Sequence, residues 1–209
     1  MEKNVILILN IALSMVCFAE KSVAIELWEP VLKENGILIE AKKVQSGVIP
    51  FRASTIIKSR LDSVFQVLTN LKDKSEWAPK LKEVRVHSEI SRYEFVFSEL
   101  YSTPWPAKDR EFLLHGSVEW VSDDEVIIRA RDAAGKAPAD KSHVQAEVRR
   151  LDLSLFRLSE KETKVVFTFE GHLGGWIPLW LSNLIQKKWP YQFLLKLNER
   201  ILTKKEAHQ

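Results

Sequence analysis

Apolar and polar side chains alternate along much of the chain, which is the pattern of strands with one buried face. The alternation is clearest where Tyr93, Phe95 and Phe97 fall on one face and Glu99 follows them in phase. Runs of this kind predict six strands, at residues 82–90, 93–101, 111–121, 124–133, 144–158 and 164–173. The small and polar residues 133–142 predict an exposed loop before the fifth of them.

The part of the chain before these strands mixes two patterns. Residues 22–36 predict a short first helix, and strands are expected at 37–44 and 50–59. Apolar residues then recur at helical spacing over 61–71, which predicts an amphipathic helix with Ser59 as its N-cap.

The chain ends in a long helical pattern over residues 175–205, with Pro190 inside it. Proline removes one helix hydrogen bond, so a kink or a break is expected near Gln186–Pro190. The order of helix, two strands, helix, six strands and long helix is that of an α+β fold. A curved antiparallel sheet cannot bury its concave face on itself, and the apolar side of the last helix is its natural cover. We therefore predict a curved antiparallel β-sheet wrapped around the C-terminal helix, with an internal apolar cavity between them.

The first residues differ from the rest in composition. Lys3 is followed by an apolar run over residues 5–19, which is shorter than the roughly 20 residues that span a bilayer. We predict a signal peptide at residues 1–19, one domain over residues 20–209, and export to the periplasm or the medium. An uncleaved anchor, a lipoprotein formed through Cys17 or a cytosolic start are the alternatives. Cys17 is the single cysteine, so a chain cleaved after Ala19 has no disulfide or thiol chemistry.

Composition and missing motifs exclude several classes of protein. With 45% hydrophobic residues, 28% charged residues and a formal net charge of +3, the chain has the composition of an ordinary folded domain and lacks the strong charge of a nucleic-acid binder. The five histidines show no metal-site spacing, and the sequence has no phosphate-binding loop, dinucleotide fingerprint or serine-nucleophile elbow. We predict no metal, no cofactor and no nucleic-acid partner, and we expect a monomer.

Five motifs in one order resemble those of the START (steroidogenic-acute-regulatory-protein-related lipid transfer) domain family. The motifs are Trp28 with Gly36-Ile37, Phe51-Arg52-Ala53, the segment Val64–Trp77, Pro104-Trp105-Pro106 with Arg110-Glu111-Phe112, and Gly175-Trp176-Ile177-Pro178 with Asn183. The resemblance covers about Ile25 to Leu202. It implies a helix-grip fold and the binding and transfer of one sterol, phospholipid or similar apolar molecule.

Glu99 is the first candidate for orienting such a ligand. In sterol-binding members of the family an acidic residue at this place lies in the tunnel, although a solvated glutamate on the outer face of the sheet is equally compatible with the sequence. A buried carboxylate needs a partner, and Arg129 or Arg131 on a neighbouring strand is available. Gln145 and Gly116 stand where sterol binders often have arginine, so the sequence departs from the sterol pattern.

Other candidates are aromatic or cationic. Trp105 is expected to anchor its turn by burial. Arg110 is expected to bond turn carbonyls or a carboxylate, with direct ligand contact as the alternative. The full set of predicted ligand-binding residues is Glu99, Tyr93, Phe95, Phe97, Trp105, Arg110, Arg129, Gln145, Trp176, Trp180 and Leu184.

The last helix carries aromatic and basic residues side by side, including Trp180, Lys187, Lys188 and Trp189. This combination suits transient contact with a membrane surface, and it also suits an ordinary core helix with a solvated charged face.

Three functions are compatible with these patterns. The first is a non-enzymatic carrier that holds one lipid or other apolar small molecule between the sheet and the last helix. The second is an enzyme of the cyclase or aromatase kind, with Glu99 or a lone strand histidine such as His115 or His172 as general acid or base. The third is a sensor whose ligand switches partner binding.

Overall fold

The computed structural model describes residues 28–42 and 49–206. The predicted signal peptide lies outside the described residues. The strands are β1 (Glu29–Glu34), β2 (Ile37–Ala41), β3 (Ile49–Ile57), β4 (Leu81–Ser91), β5 (Glu94–Tyr101), β6 (Arg110–Ser122), β7 (Glu125–Asp132), β8 (Val144–Ser159) and β9 (Glu162–His172). The helices are α1 (Leu61–Thr69), α2 (Lys74–Trp77) and α3 (Leu179–Glu206).

The strands form one nine-stranded sheet in the order β1-β2-β3-β9-β8-β7-β6-β5-β4. Every neighbouring pair in that order is antiparallel. β7 has 8 residues and lies between strands of 13 and 16 residues. Beyond the end of β7, Arg110–Phe112 of β6 therefore pairs directly, in parallel, with Val144–Ala146 of β8.

Alternation on β5 sorts its side chains as the sequence predicts. Phe97 and Glu99 are buried on the concave face, while Val96 packs on the convex face with Leu113 and Ala133. The segment 133–142 leads away from that convex side, and most of it is exposed or half-buried, as predicted for a loop.

α3 lies across the concave face of the sheet, and its apolar side joins the main core through Phe193, Leu194, Leu197 and Ile201. The prediction of an α+β fold with the sheet wrapped around the C-terminal helix is confirmed. The helix runs through Pro190 without the break that the sequence suggested. Trp189 and Phe193, on either side of Pro190, stack on each other with ring centroids 5.8 Å apart, and this packing supports the helix where one hydrogen bond is missing.

Two local predictions were wrong. Within residues 22–36, the described part forms strand β1, because Asn35 (φ 48°) and Gly36 (φ 74°) both adopt left-handed backbone and turn the chain back onto β2. An Asn-Gly pair is a strong hairpin signal, and here it forms a turn between two strands instead of ending a helix. The N-cap of α1 is Arg60, not Ser59, whose carbonyl accepts a hydrogen bond from Thr163 Oγ1 at 2.9 Å.

Candidate ligand-binding cavity

Two adjoining cavities lie between the concave face of the sheet and the helices. The first compartment has a volume of about 110 Å³ and is lined mainly by apolar side chains of β3, β6, β9 and α3, among them Phe51, Phe112, Phe169, Leu184 and Trp189. It extends to one end of the sheet, where Lys80, Ser102, Thr103, Pro104 and Arg110 line it. We call this end the mouth, because Lys80 and Pro104 are exposed.

The second compartment has a volume of about 130 Å³ and lies between β5–β8 and the chain around α1 and α2. Tyr93, Phe95 and Phe97 line it, and Leu114 and Leu151 line both compartments. The two spaces are thus neighbouring parts of one apolar interior.

A buried polar network stands at the boundary between the compartments. Lys74 lines the second compartment, whereas Glu99 and Tyr101 line the first. Lys74 Nζ donates to Glu99 Oε1 at 2.5 Å, and the Tyr101 hydroxyl donates to Glu99 Oε2 at 2.8 Å. The side chain of Glu99 is 2% exposed and that of Lys74 is 11% exposed, so both charges are removed from bulk water and compensate each other.

The partner of Glu99 is therefore Lys74, and neither arginine suggested by the sequence takes this place. Arg131 forms an ion pair with Asp152 at 2.7 Å, and Arg129 pairs with Glu119. Arg129 alternates with the inward-facing Ile128 and Ala130, so its side chain points to the convex face and it borders the second compartment with its backbone.

Tertiary contacts of α2 with α3 hold Lys74 in place. The Trp77 ring packs on Phe193 with ring centroids 5.3 Å apart. Arg200 Nη2 donates to Glu76 Oε2 at 2.7 Å. Because α2 has only four residues, its orientation depends on these contacts, and sequence periodicity gave no signal for Lys74.

Burial raises the pKa of Tyr101 well above its usual value, and the charge of Glu99 and the hydrogen bond to it act in the same direction. Tyr101 therefore remains a protonated donor at neutral pH.

Replacing Tyr101 by phenylalanine should lower the free energy of unfolding by about 1–3 kcal/mol, because Oε2 of a buried carboxylate loses its donor.

The raised pKa of Tyr101 also predicts a pH dependence of the stability. Above pH of about 10 the unfolded chain releases the Tyr101 proton while the folded chain retains it, so stability falls as pH rises. Urea unfolding at neutral and alkaline pH measures both effects. Tyr191→Phe removes one tyrosine outside the network and is the control; an equal alkaline loss in wild type and Tyr101→Phe would contradict the assignment.

Trp189 joins α3 to the sheet beside the first compartment. Its ring lies 5.9 Å from Phe51, 5.7 Å from Tyr101 and 5.7 Å from Phe167, centroid to centroid. Its Nε1 donates to the carbonyl of Pro79 at 3.3 Å, so the indole is both packed and hydrogen-bonded. The sequence placed Trp189 on the last helix but gave no reason to separate it from Trp176 and Trp180.

Arg110 connects two chain segments at the mouth. Its guanidinium donates to the carbonyl of Lys108 and, at 3.1 Å, to the carbonyl of Trp176. It is 3% exposed, and burial lowers its pKa from the usual value, with the nearby Asp109 charge opposing the shift. The structure thus gives Arg110 the carbonyl-bonding role expected from the sequence, and its side chain also lines the first compartment.

The structure brings some of the predicted ligand-binding residues to the cavity and leaves others outside. Glu99, Arg110 and Leu184 line the first compartment, and Tyr93, Phe95 and Phe97 line the second, so ligand contact by these residues stays a prediction. Four candidates have exposed side chains on the outside of the protein: Trp105, Gln145, Trp176 and Trp180.

The expected burial of Trp105 was wrong, since this residue is 89% exposed. The amide of Ala107 donates to the carbonyl of Pro104 at 3.1 Å, so the turn is closed by its backbone and the indole is left on the outside. Gln145 Nε2 donates to Glu111 Oε2 at 2.7 Å on the convex face, because its buried neighbour Ala146 takes the inward position.

Gly116 faces the second compartment, and Phe97 occupies the space above it. A Cβ atom at Gly116 would come within 2.8 Å of Phe97 Cε1. Gly116 is one of the two positions where the sequence departs from the sterol pattern, and the ring of Phe97 fills the space that a side chain would take there.

The two strand histidines named as candidates, His115 and His172, line neither compartment. His115 Nε2 lies 2.8 Å from Glu94 Oε1, and its Nδ1 lies 3.1 Å from Lys136 Nζ. Among the residues that the structure describes, no group of three or more histidine, cysteine, aspartate or glutamate side chains is placed to hold a metal ion. The described helices include none long and apolar enough to cross a membrane.

Comparisons with known proteins agree on the family. A family model of the START domain matches residues 10–199. An uncharacterized protein of Pseudomonas aeruginosa is 23% identical over 159 residues, which is 76% of this chain and 78% of that protein. The mitochondrial steroidogenic acute regulatory protein of Gallus gallus is 22% identical over 180 residues, which is 81% of this chain and 64% of that protein. The crystal structure of a STAR-related lipid transfer protein fragment from Xanthomonas axonopodis covers 83% of this chain and 98% of its own, with a TM-score of 0.73 at 22% identity, which is a likeness of fold.

Proposed function

Because the chain belongs to the START domain family, we propose that it binds one lipid or other apolar molecule between the curved sheet and α3 and carries it between membranes. The observation that carries the proposal is the apolar interior with a buried polar network, Lys74–Glu99–Tyr101, at its centre. Burial of the ligand supplies affinity at about 25 cal/mol per Å² of apolar area, and the few polar groups of the lining orient it in the cavity.

Loading requires movement of the walls. Each compartment is smaller than the roughly 300 Å³ at which small-molecule pockets begin. We place the opening at the mouth, between the Ser102–Lys108 turn and the first turns of α3, because both border the first compartment at the surface. The loop Ala133–Ser142 lies towards the convex face and lines neither compartment, so it is a poorer candidate for the gate.

The surface around the mouth fits transient contact with a membrane. Trp105, Trp176 and Trp180 are 89%, 68% and 51% exposed, and the guanidinium of Arg110 connects the Trp105 turn to the Trp176 backbone. Lys108 and Lys187 are exposed in the same two segments. Exposed indole rings can insert into the interface of a bilayer, and the cations beside them attract anionic lipid headgroups. The two together favour an anionic bilayer surface. Export, as predicted from residues 1–19, would put this exchange in the periplasm or outside the cell.

We propose a binding protein and not an enzyme. Both carboxylate oxygens of Glu99 already accept hydrogen bonds, and the raised pKa of Tyr101 keeps its proton in place. Groups satisfied in this way favour holding a ligand over transferring a proton to it.

Protein purified under native conditions should release one apolar molecule per chain on organic extraction, with its structure unchanged. Mass spectrometry of the extract identifies it, and labelled liposomes test whether the emptied protein takes it up again. An extract without such a molecule, together with no uptake from liposomes, would overturn the proposal. Release of a chemically altered product after incubation with the extracted compound would favour an enzyme.

A further inference from the structure

We propose that the mouth binds the anionic group of a single-chain amphiphile, a carboxylate or a phosphate, with Arg110 as its counter-ion. This inference rests on the proposed function, since it names the class of ligand that the cavity takes. It concerns the mouth and leaves the Lys74–Glu99–Tyr101 network as the inner limit of the first compartment.

The first observation is a buried cation without a counter-ion. Arg110 is 3% exposed, and within the described residues no carboxylate forms an ion pair with it. The neighbouring Asp109 is engaged elsewhere, with Lys82 Nζ at 2.5 Å and the amide of Thr103 at 2.9 Å. A buried charge that is compensated only by neutral carbonyls is costly, so an anion that completes its environment binds favourably.

The second observation is the orphaned Nε of Arg110. This atom is buried and has no hydrogen-bond acceptor, although the two Nη atoms each donate to a backbone carbonyl. Arginine presents Nε–H and an adjacent Nη–H as a fork that matches two oxygens of a carboxylate or phosphate. Nε–H is therefore an unused donor that an oxygen of an anion can engage, beside Nη atoms that already donate to carbonyls.

The third observation is the charge balance of the first compartment. Its charged lining residues are Lys80, Glu99 and Arg110. Glu99 is compensated by Lys74, so the lining keeps an excess of positive charge at the mouth. Ser102 and Thr103, which line the same end, offer hydroxyl groups and no negative charge.

The apolar part of the ligand follows from the rest of the lining. Beyond the mouth the compartment is bounded by rings and aliphatic chains such as Phe112, Phe169 and Leu184. Its volume of about 110 Å³ is narrow even when extended by the adjoining second compartment of about 130 Å³. One acyl chain fits such a passage with modest opening, whereas a two-chain lipid needs far more.

Binding of matched ligands to the purified, delipidated full chain tests the proposal. Palmitate, hexadecyl phosphate and hexadecanol share one hydrocarbon chain and differ in the head group, and inorganic phosphate supplies the anion alone. At a pH where palmitate is ionised, at least one of the two anionic amphiphiles should bind about tenfold or more tightly than hexadecanol. Whichever of palmitate and hexadecyl phosphate binds more tightly shows whether the site prefers a carboxylate or a phosphate. Equal affinity for all three amphiphiles would overturn the inference, and so would inorganic phosphate binding as tightly as hexadecyl phosphate.

The variant Arg110→Met keeps much of the side-chain volume and removes the charge. It should bring the affinity ratio between the preferred anionic amphiphile and hexadecanol close to one. Arg52→Met is the control, because Arg52 is a partly exposed arginine that forms an ion pair with Glu40 at 2.8 Å and lines neither compartment. If Arg110→Met does not fold, the wild-type ratio alone decides. A folded Arg110→Met protein that still prefers the anion would also overturn the inference.

These outcomes are separable from those of the proposed function. A chain that releases a co-purified apolar molecule and binds hexadecanol as tightly as the anions remains a carrier without an anion site. A chain that binds no amphiphile and releases none fails both proposals.

Discussion

Replacing Lys74 by methionine is expected to lower the free energy of unfolding by about 3–5 kcal/mol, because Glu99 would be left as a buried charge without a counter-ion. Methionine has about the volume of the lysine stem, so the loss reports the charge and not a cavity. Urea or guanidinium unfolding measures it, as a lower midpoint with an unchanged slope. Lys72→Met, at an exposed position two residues earlier, should change the stability by less than about 0.5 kcal/mol.

The double variant Lys74→Met/Glu99→Gln distinguishes the energy of the Lys74–Glu99 pair from the effects of each residue on the rest of the protein. Because it removes both charges, it should recover most of the stability lost in Lys74→Met, and the double-mutant cycle then gives the coupling energy of the pair. A Lys74→Met protein as stable as wild type would show that Glu99 has another counter-ion or is not ionised in the fold.

Replacing Trp105 and Trp176 together by alanine is expected to weaken association with anionic liposomes at least about a hundredfold, at roughly 1.5–3 kcal/mol for each large apolar side chain that enters the interface. Both residues are exposed, so the fold should be little affected. Co-sedimentation with anionic and neutral vesicles measures binding, and transfer of a labelled lipid between vesicles measures its consequence. Cation attraction adds salt sensitivity on the anionic vesicles.

Trp120→Ala is the control for this experiment. Trp120 is 47% exposed, but it lies ten residues along β6 from Arg110, roughly 30 Å from the mouth at the rise of an extended strand. It should leave vesicle binding unchanged. If the double variant sediments with vesicles as wild type does, or if Trp120→Ala abolishes binding, the membrane-contact surface is not at the mouth.

The sequence predicted the fold because its strands carry a simple period. On β5 alternation predicted that Glu99 shares a face with Phe95 and Phe97, since successive side chains of a strand point to opposite faces; the structure makes that face the concave one, which the sequence had left open. The apolar side of the last helix likewise predicted that this helix covers the concave face of the sheet. The helix predicted where β1 lies was wrong, because the Asn35-Gly36 pair forms a hairpin turn and does not end a helix.

The site was less accessible to sequence reasoning because its parts meet only in the folded chain. Lys74 is 25 residues from Glu99, on a four-residue helix held by contacts with α3, and no periodicity marks it. Trp105 and Trp189 are both followed by proline in the sequence, yet Trp105 is 89% exposed and Trp189 packs against four aromatic rings. Which side of a turn an indole occupies depends on the backbone path, and residue type does not determine it.

The direct pairing of β6 with β8 has a consequence for how this chain tolerates change. The pairing closes the sheet behind the segment 133–143, so that segment leaves and re-enters the fold at two strands already bound to each other. The position of Arg110 therefore depends on this pairing more than on the length of the segment, although the Asp140 amide also donates to Glu111 Oε2 at 2.9 Å. We expect this chain to tolerate insertions and deletions best there, and a fluorophore or affinity tag placed at this point should leave the mouth unobstructed.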